Sequence, residues 1–248
     1  MEIYYFTEKG KRENNEDSLL LNSTLITSEN MTDLKKFTIL NPKHNKFLLA
    51  DGMGGYSKGE VASSTVLNIF KKIKKKFSLN ILNSTLFNCK EYLKFLSLTK
   101  NINKLGTTIS GVFLSEDVNY AFNVGDTRIY KFSHDKIEIL SYDHSCGMEL
   151  VENHIISNEF LRYHVSRNIL TSSITNDDSI KKINYKEFEF RENEILFICS
   201  DGVWEQLEEK VLIKLLKKYK NLKELAQSLL NIIKVNPNDN ISFILIKK

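Results

Sequence analysis

The chain has few of the residues that mark disulfide-stapled or zinc-binding proteins. Its 248 residues include three cysteines, two prolines and one tryptophan. Cys89, Cys146 and Cys199 form no CxxC pair and have no histidine at zinc-ligand spacing, which argues against a zinc site and a disulfide framework. A sparse, odd cysteine count is typical of a reducing compartment, so we expect a cytoplasmic location.

Long apolar runs and a charge excess of one sign are also missing. No apolar run approaches the ~18 residues of a membrane span, and the N-terminus lacks the pattern of a signal peptide. Thirty-five basic residues against 31 acidic ones predict no nucleic-acid partner, and we expect no membrane partner either. The one dense basic run, the lysines at 71, 72, 74, 75 and 76, is typical of a solvated helix face, with a partner site as the alternative.

The residues that are present describe a globular chain. Hydrophobic residues make up 42% and charged residues 27%, and the length suits one large domain that needs no staples. Apolar residues at helical spacing predict helices within 58–77 and 84–104, and at 207–216 and 222–233. Strands are predicted at 19–21, 47–50, 109–114, 118–124, 128–132, 136–140, 183–190, 195–199 and 241–246. These segregated runs of strands and helices predict an α+β layered fold.

Two less regular segments interrupt this pattern. Residues 22–45 are polar and predict a loop or a hairpin. Residues 143–178 predict a loop with one or two short helices, which we interpret as a flap over the functional site.

The first motif with chemical potential lies at residues 10–17. Arg12 comes shortly before the acidic pair Glu16 and Asp17, at the start of a predicted strand. An arginine fork binds two phosphate oxygens at once, and adjacent carboxylates bind a hard cation or orient its waters. By itself, the segment is more typical of a charged surface turn.

Three further aspartates stand at the ends of predicted strands. Asp51 and Asp201 each end an apolar strand and precede a glycine, and Asp239 precedes the last strand. Each Asp-Gly pair alone is compatible with an ordinary turn. If the three converge on one sheet edge, their summed charge requires a cation, and oxygen-only ligands favour Mg²⁺ or Mn²⁺ over Zn²⁺.

Seven segments, taken together and in this order, resemble the metal-dependent protein phosphatases of type 2C (the PPM family), particularly the compact bacterial form. They are RENNED, DGMGG, GTT, NVGDTR, YDHS, SDGVWE and DNIS. The resemblance covers about residues 6–247. It implies a four-layer α/β/β/α sandwich of two antiparallel sheets flanked by helices, in a single catalytic domain at 1–248 with its flap at about 143–178.

The resemblance also implies roles for individual residues around two Mn²⁺ or Mg²⁺ ions. Asp51 matches the position that bridges both ions, and Gly52 matches the position that lends its carbonyl. The other matches are Asp201 and Asp239 as ligands of one ion, Glu16 and Asp17 as ligands of metal or its waters, Asp126 as a ligand of a third ion in bacterial relatives, Asn240 as support behind the ligands, and Arg12 as the phosphate-binding arginine.

The implied activity is hydrolysis of phosphoserine and phosphothreonine by direct attack of a hydroxide that bridges the two metals. No phospho-enzyme forms, so Cys199 and Ser200 are expected to be strand residues rather than nucleophiles. The expected substrates are phosphoproteins, with a Ser/Thr kinase as the counterpart enzyme, and the protein is expected to be a monomer.

The chain departs from the family pattern in a few places. Only one residue separates Gly10 from Arg12, where bacterial relatives have two. Met53 replaces a histidine found in animal members, so the proton donor is unassigned, with a metal-bound water as our hypothesis. His144 is interpreted as structural, and the flap sequence matches only loosely.

Two other functions are compatible with the same residues. A pseudophosphatase would dock partners without turnover, but such proteins usually lose a metal ligand, and every expected acidic position is filled here. A hydrolase of another phosphoester, such as a nucleotide, is the second alternative, although the chain has no P-loop.

Overall fold

Two six-stranded antiparallel sheets form the centre of the protein in the computed structural model, which describes residues 1–39, 44–53, 58–74, 77–133, 136–177 and 180–248. In spatial order, the first sheet contains β10 (Lys136–Ile139), β9 (Arg128–Ser133), β13 (Ile195–Cys199), β14 (Ile241–Lys247), β1 (Glu2–Glu8) and β4 (Lys35–Phe37). The second contains β12 (Asn184–Phe188), β8 (Asn119–Val124), β7 (Ile109–Ser115), β5 (His44–Asp51), β2 (Asp17–Leu21) and β3 (Thr24–Thr27). Two short strands, β6 (Gly106–Thr107) and β11 (Ile174–Thr175), pair beside them.

Helices cover the outer face of each sheet. The second sheet carries α1 (Gly59–Lys71) and α2 (Leu79–Lys100), and the first carries α6 (Glu209–Lys218) and α7 (Leu222–Ile233). The predicted flap contains α3 (Cys146–Glu152), α4 (Asn158–Leu161), a 3-10 turn at Val165–Asn168, and β11, and α5 (Asp201–Trp204) follows β13. The predicted α+β, four-layer α/β/β/α architecture is confirmed.

The period-two pattern of the strands divides the core into two clusters. In β5, Phe47 and Leu49 pack between the sheets, whereas Leu48 and Ala50 pack under α1 and α2. All four residues are fully buried. Successive side chains of a strand point to opposite faces, so one apolar run supplies both clusters.

The structure corrects three predicted elements. β1 was not predicted, and the polar segment after β2 contains β3 and β4. α1 ends at Lys71 rather than Phe77, because the buried Lys46 Nζ donates to the carbonyls of Phe70, Lys71 and Ile73 at 2.9, 2.8 and 2.8 Å and closes the helix end. Beyond that point Phe77 stacks on Phe113, with ring centroids 3.7 Å apart.

The start of α2 also lies outside its predicted range. The Ser78 side chain accepts a hydrogen bond from the Ile81 N–H and begins this helix before residue 84. Gly54 and Gly55 of the glycine-rich turn, with Lys75 and Lys76 of the basic run, lie outside the described residues. In the described part of the chain, no helix combines the length and the apolarity that crossing a bilayer requires.

Candidate metal centre

Strand ends bring the predicted acidic residues to one end of the two-sheet sandwich. Asp17 begins β2 and Asp51 ends β5, and the two are paired directly across the antiparallel ladder. Asp201 begins α5 just after β13, and Asp239 lies just before β14, so both are positioned by strands of the first sheet. The aspartates therefore converge from two facing sheets, and the expectation that they share one sheet edge is wrong.

A cleft of about 400 Å³ opens between these strand ends. Its lining contains Arg12, Glu16, Asp51, Gly52, Met53, Thr108, Asp126, Asn168, Leu170, Ser173, Asp201 and Asp239. A larger cavity of about 470 Å³ lies at the opposite end of β5, but no carboxylate is among its described lining residues. Of these two cavities, the smaller cleft is the one whose lining suits a cation.

The carboxylates in this cleft repel one another in a poorly solvated environment. Burial, followed by repulsion from Asp17 and Asp201, raises the pKa of Asp51 well above its ordinary value. Burial also raises the pKa of Asp201 well above its ordinary value, and Asp126 adds to this by repulsion. The pKa of Asp126 rises to about 7, mainly through burial. The protein holds more negative charge here than its own cations offset.

Asp17 is the residue whose surroundings most clearly suit a cation. Its side chain is 1% exposed, and neither carboxylate oxygen forms a hydrogen bond of good geometry with the described residues. Burial raises its pKa to about 7, and the nearby hydroxyls of Ser242 and Ser200 offset only part of this rise. A buried carboxylate without a partner is costly, and a cation in the cleft would relieve that cost.

The donor set fits a hard cation that keeps part of its water. In the described part of the chain, no group of three or more His, Cys, Asp or Glu side chains is placed to hold a metal ion unaided. A bound ion would therefore also need water or backbone carbonyls, which is the coordination that Mg²⁺ and similar ions accept. The residues present fit this kind of ion.

Gly52 supplies a backbone position that no other residue can occupy. A Cβ there would lie 2.4 Å from the carbonyl oxygen of Gly59 and 2.8 Å from that of Glu16. The Gly52 N–H donates to the Glu16 carbonyl at 3.1 Å, which fixes this peptide at the cleft. Gly59 was missed in the sequence, yet its N–H donates to the Glu16 carboxylate at 3.2 Å.

Two threonines fix the backbone of Asp51. Thr107 Oγ1 donates to the Asp51 carbonyl at 2.8 Å, and Thr108 Oγ1 accepts from the Asp51 N–H at 3.2 Å. These are residues of the GTT segment, which the sequence marks without indicating a role for each hydroxyl.

Arg12 lies half-exposed at the rim of the cleft. Its Nη2 donates to Asp239 Oδ2 at 2.6 Å, and this hydrogen bond raises the pKa of Arg12. Among the described residues that line the cleft, Arg12 is the one arginine. An anion that enters the cleft would meet this positive charge next to the acidic cluster.

Asn240 lies behind the acidic residues and connects three segments. Its Nδ2 donates to the carbonyls of Lys9 and Asn14 at 3.0 and 2.9 Å, and its Oδ1 accepts from the Glu16 N–H at 2.8 Å. The loop that carries Arg12 and Glu16 is thereby tied to the strand that follows Asp239.

A buried charged cluster supports the cleft from below. Arg128 is 7% exposed and donates to Asp143 from Nε at 3.1 and 3.0 Å and from Nη2 at 2.6 Å. Its guanidinium lies 3.8 Å from the ring centroid of Trp204, whose Nε1 donates to the Asp126 carbonyl at 2.9 Å. On the flap, Arg167 donates to Glu205 at 2.6 and 3.0 Å.

We expect the metal-free protein to lose stability as the pH rises from about 4 to about 7. The pKa of Asp17 is raised from 3.8 to about 7. The folded state therefore holds a proton that the unfolded state has already released, and the free energy of unfolding falls through this window by about 2 to 4 kcal/mol. Denaturation in chelator at pH 5 and pH 7.5 measures the change.

The wild type is compared with Asp17→Asn, which lacks the titrating carboxyl. In this variant the free energy of unfolding should fall less as the pH rises. The exposed residue Glu116 provides a control, because Glu116→Gln should keep the wild-type profile. Parallel pH profiles for wild type and Asp17→Asn would contradict the argument.

Comparison with known sequences finds similarity along most of the chain. The family profile described as Protein phosphatase 2C matches residues 33–232. The Listeria innocua protein named serine/threonine phosphatase stp is 27% identical over 213 residues, which covers 81% of this chain and 83% of that protein.

Solved structures share the whole architecture. The serine/threonine phosphatase Stp1 from Staphylococcus aureus is 25% identical with a TM-score of 0.82, covering 99% of this chain and 94% of that one. The catalytic domain of the serine threonine protein phosphatase PstP, solved in complex with two manganese ions, has a TM-score of 0.74 at 19% identity, covering 98% and 97%. The latter likeness concerns the fold alone.

Proposed function

Because the chain belongs to the protein phosphatase 2C family, we propose that its cleft hydrolyses phosphoserine and phosphothreonine esters of proteins with the help of divalent cations. The observation that carries this proposal is the acidic cluster itself. Asp17 and Asp51 face each other across one strand pair, and burial, with repulsion from neighbouring carboxylates, raises the pKa values of both. The names of the relatives supply the substrate class.

The proposal assigns the residues of the cleft as follows. The metal ligands are Asp51, Gly52, Asp201 and Asp239, with Glu16 and Asp17 as ligands of metal or its waters, Asp126 as a ligand of a third ion and Asn240 as their support. Two ions are proposed, with Mn²⁺ or Mg²⁺ as candidates, since the same oxygen ligands serve both.

The chain's own residues bind and orient the phosphoryl group. Bound cations would supply water activation and charge neutralisation. Arg12 contributes a fork of donors at the rim of the cleft, and Asp239 holds that fork in place. The Thr107 and Thr108 hydroxyls keep the Asp51 backbone fixed. Cys199 is fully buried in β13, and burial raises the pKa of its thiol, so it does not serve as a nucleophile.

No observation favours the alternative of a silent pseudophosphatase. Every acidic position of the proposed site is present, and all but Asp17, which lies beneath it, line the cleft. A Ser/Thr kinase as counterpart, a cytoplasmic location and a monomeric state stay predictions, as does the single catalytic domain at 1–248.

A phosphate-release assay tests the proposal directly. The purified protein is mixed with Mn²⁺ or Mg²⁺ and with phosphoserine, phosphothreonine and phosphotyrosine peptides, or with p-nitrophenyl phosphate. We expect metal-dependent release from the first two peptides and from p-nitrophenyl phosphate, and loss of activity in excess chelator. No metal-dependent release from any of these phosphoesters would refute the proposal.

Arg12→Ala is expected to lower kcat/KM for a phosphopeptide about 10- to 100-fold, because a hydrogen bond to a charged group contributes roughly 1.5 to 3 kcal/mol. Arg12→Lys should recover part of this, since it restores charge without the fork. Lys11→Ala is the matched control, because Lys11 donates to Asn236 and Asn238 outside the cleft. Steady-state kinetics in which Arg12→Ala and Lys11→Ala behave alike would rule out the phosphate-binding role.

A further inference from the structure

His144 forms a double contact with the turn that carries Asp126. The Gly125 N–H donates to His144 Nδ1 at 3.0 Å, and the His144 N–H donates to the Gly125 carbonyl at 3.0 Å. The same carbonyl accepts from Asn123 Nδ2 at 3.0 Å. His144 therefore binds both the N–H and the carbonyl of Gly125, the residue immediately before Asp126.

The opposite side of the His144 segment, which begins the flap, contacts residues 169–171 further along the flap. The His144 carbonyl accepts from the Thr171 N–H at 2.9 Å, and the Cys146 N–H donates to the Ile169 carbonyl at 2.8 Å. Ser145 forms a β-bridge with Leu170, which lines the cleft. The inner segment of the flap, residues 169–171, and the Asp126 turn therefore both bind to this one short segment.

The chemistry of the contact requires a neutral imidazole with Nδ1 as the acceptor. His144 is 2% exposed, and burial lowers its pKa to about 4, so the ring is neutral at pH 7. The turn itself has little freedom to rearrange. Gly125 has a φ of +109°, and a Cβ there would lie 2.5 Å from Thr108 Cβ.

We propose that His144 is a positioning residue, which holds the Asp126 turn and the inner segment of the flap in a fixed relation across the cleft. The proposal rests on the proposed function, because it assumes that Asp126 serves a metal-dependent reaction. His144 does not line the cleft and is not a catalytic residue. It acts through Gly125. The orientation of the Gly125 backbone determines the position from which the Asp126 side chain extends.

Three substitutions separate this role from general support of the core. His144→Asn keeps an acceptor where Nδ1 lies, His144→Gln moves the acceptor towards the Nε2 position, and His144→Leu removes it. For p-nitrophenyl phosphate we expect His144→Asn to retain kcat within about threefold, and His144→Gln and His144→Leu to lose about tenfold or more, as for one lost hydrogen bond. KM for this small substrate should stay constant while KM for a phosphopeptide rises, because Leu170 of the flap lines the cleft and a longer substrate would extend over it.

Hydrogen exchange of the Gly125 amide provides a readout that does not depend on activity. Exchange should be slow in the wild type and in His144→Asn, and about tenfold or more faster in His144→Gln. Equal exchange in the Asn and Gln variants would overturn the inference even if the enzyme is active. A wild type without activity refutes the proposed function instead, and the exchange result still decides whether His144 holds the turn.

A double-mutant cycle tests whether His144 acts through Asp126. Asp126→Asn, His144→Gln and the double variant are compared for kcat and for the number of Mn²⁺ ions bound in calorimetry. We expect the double variant to lose little more than Asp126→Asn alone, because residues that act as a unit are non-additive. Losses in kcat that multiply would show two independent roles and overturn the proposal.

Discussion

Asp51→Asn is expected to lower kcat/KM at least about 1,000-fold, which corresponds to about 4 kcal/mol of transition-state stabilisation. Asp51 faces Asp17 across the β5–β2 pair and lines the cleft, and in the proposed site its carboxylate would hold the cations. An amide of the same size lacks the charge that holds them. The same substitution should stabilise the metal-free protein, because it removes a carboxylate that Asp17, Asp201 and Asp239 repel.

Steady-state kinetics measures the loss of kcat/KM, and thermal denaturation with and without Mn²⁺ measures the change in stability. Mn²⁺ at about 100 times its Kd should stabilise the wild type by about 2.7 kcal/mol, and Asp51→Asn should lose most of this gain. The exposed Glu91 on α2 supplies a control, since Glu91→Gln removes a carboxylate far from the cluster in sequence and should leave activity and Mn²⁺ response unchanged. An Asp51→Asn protein with wild-type turnover would remove Asp51 from the site.

Asp143→Ala is expected to destabilise the protein by about 3 to 5 kcal/mol, the usual cost of removing one member of a buried ion pair. For a protein of this size, that corresponds to a fall in Tm of about 6 to 20 °C. Arg128 is almost fully enclosed and donates three of its hydrogen bonds to Asp143. Without that carboxylate, Glu209 is the acid left in contact with the guanidinium, and it lies 3.3 Å away and half in solvent.

A surface ion pair gives the matched control. Glu138 pairs with Lys131 and Lys186 and is 43% exposed, so Glu138→Gln should cost less than about 1 kcal/mol. Chemical denaturation of both variants compares the two costs. Equal losses would mean that burial of the Arg128–Asp143 pair has no energetic consequence. If Asp143→Ala does not fold, Asp143→Asn keeps the shape of the side chain and should show a smaller loss of the same sign.

The layered fold was predictable from the strands that are buried on both faces, with helices on one face and the second sheet on the other. In β2 and β5 the apolar runs are continuous, and the structure shows both faces buried. β1, which lies between β14 and β4, was not predicted. Its apolar residues form a short run between polar ends, so the sequence pattern does not indicate a buried strand. The end of α1 depends on Lys46, which is distant in sequence, so helical periodicity alone extends too far.

The sequence predicted which motif residues form the cleft. It did not predict how these residues are arranged in space. The pairing of Asp17 with Asp51 results from the register of β2 on β5, which no sequence spacing specifies. The contacts of Asn240 with Lys9, Asn14 and Glu16 likewise depend on how β14 meets the loop after β1. Gly59 has no side chain to mark it, and the sequence predicts a structural role for His144 without indicating which turn it contacts.

The position of β14 also has a consequence for how the protein comes into being. β14 is the last strand in chain order, yet it lies between β13 and β1 and pairs with β1 over seven residues. The first sheet stays split into two halves until residues 241–247 have been synthesised. Contacts of such long sequence separation form slowly, so a nascent chain presents two unpaired strand edges during this interval. Asp239 arrives with the same segment, so the cleft acquires its full set of carboxylates only once this segment has joined the first sheet.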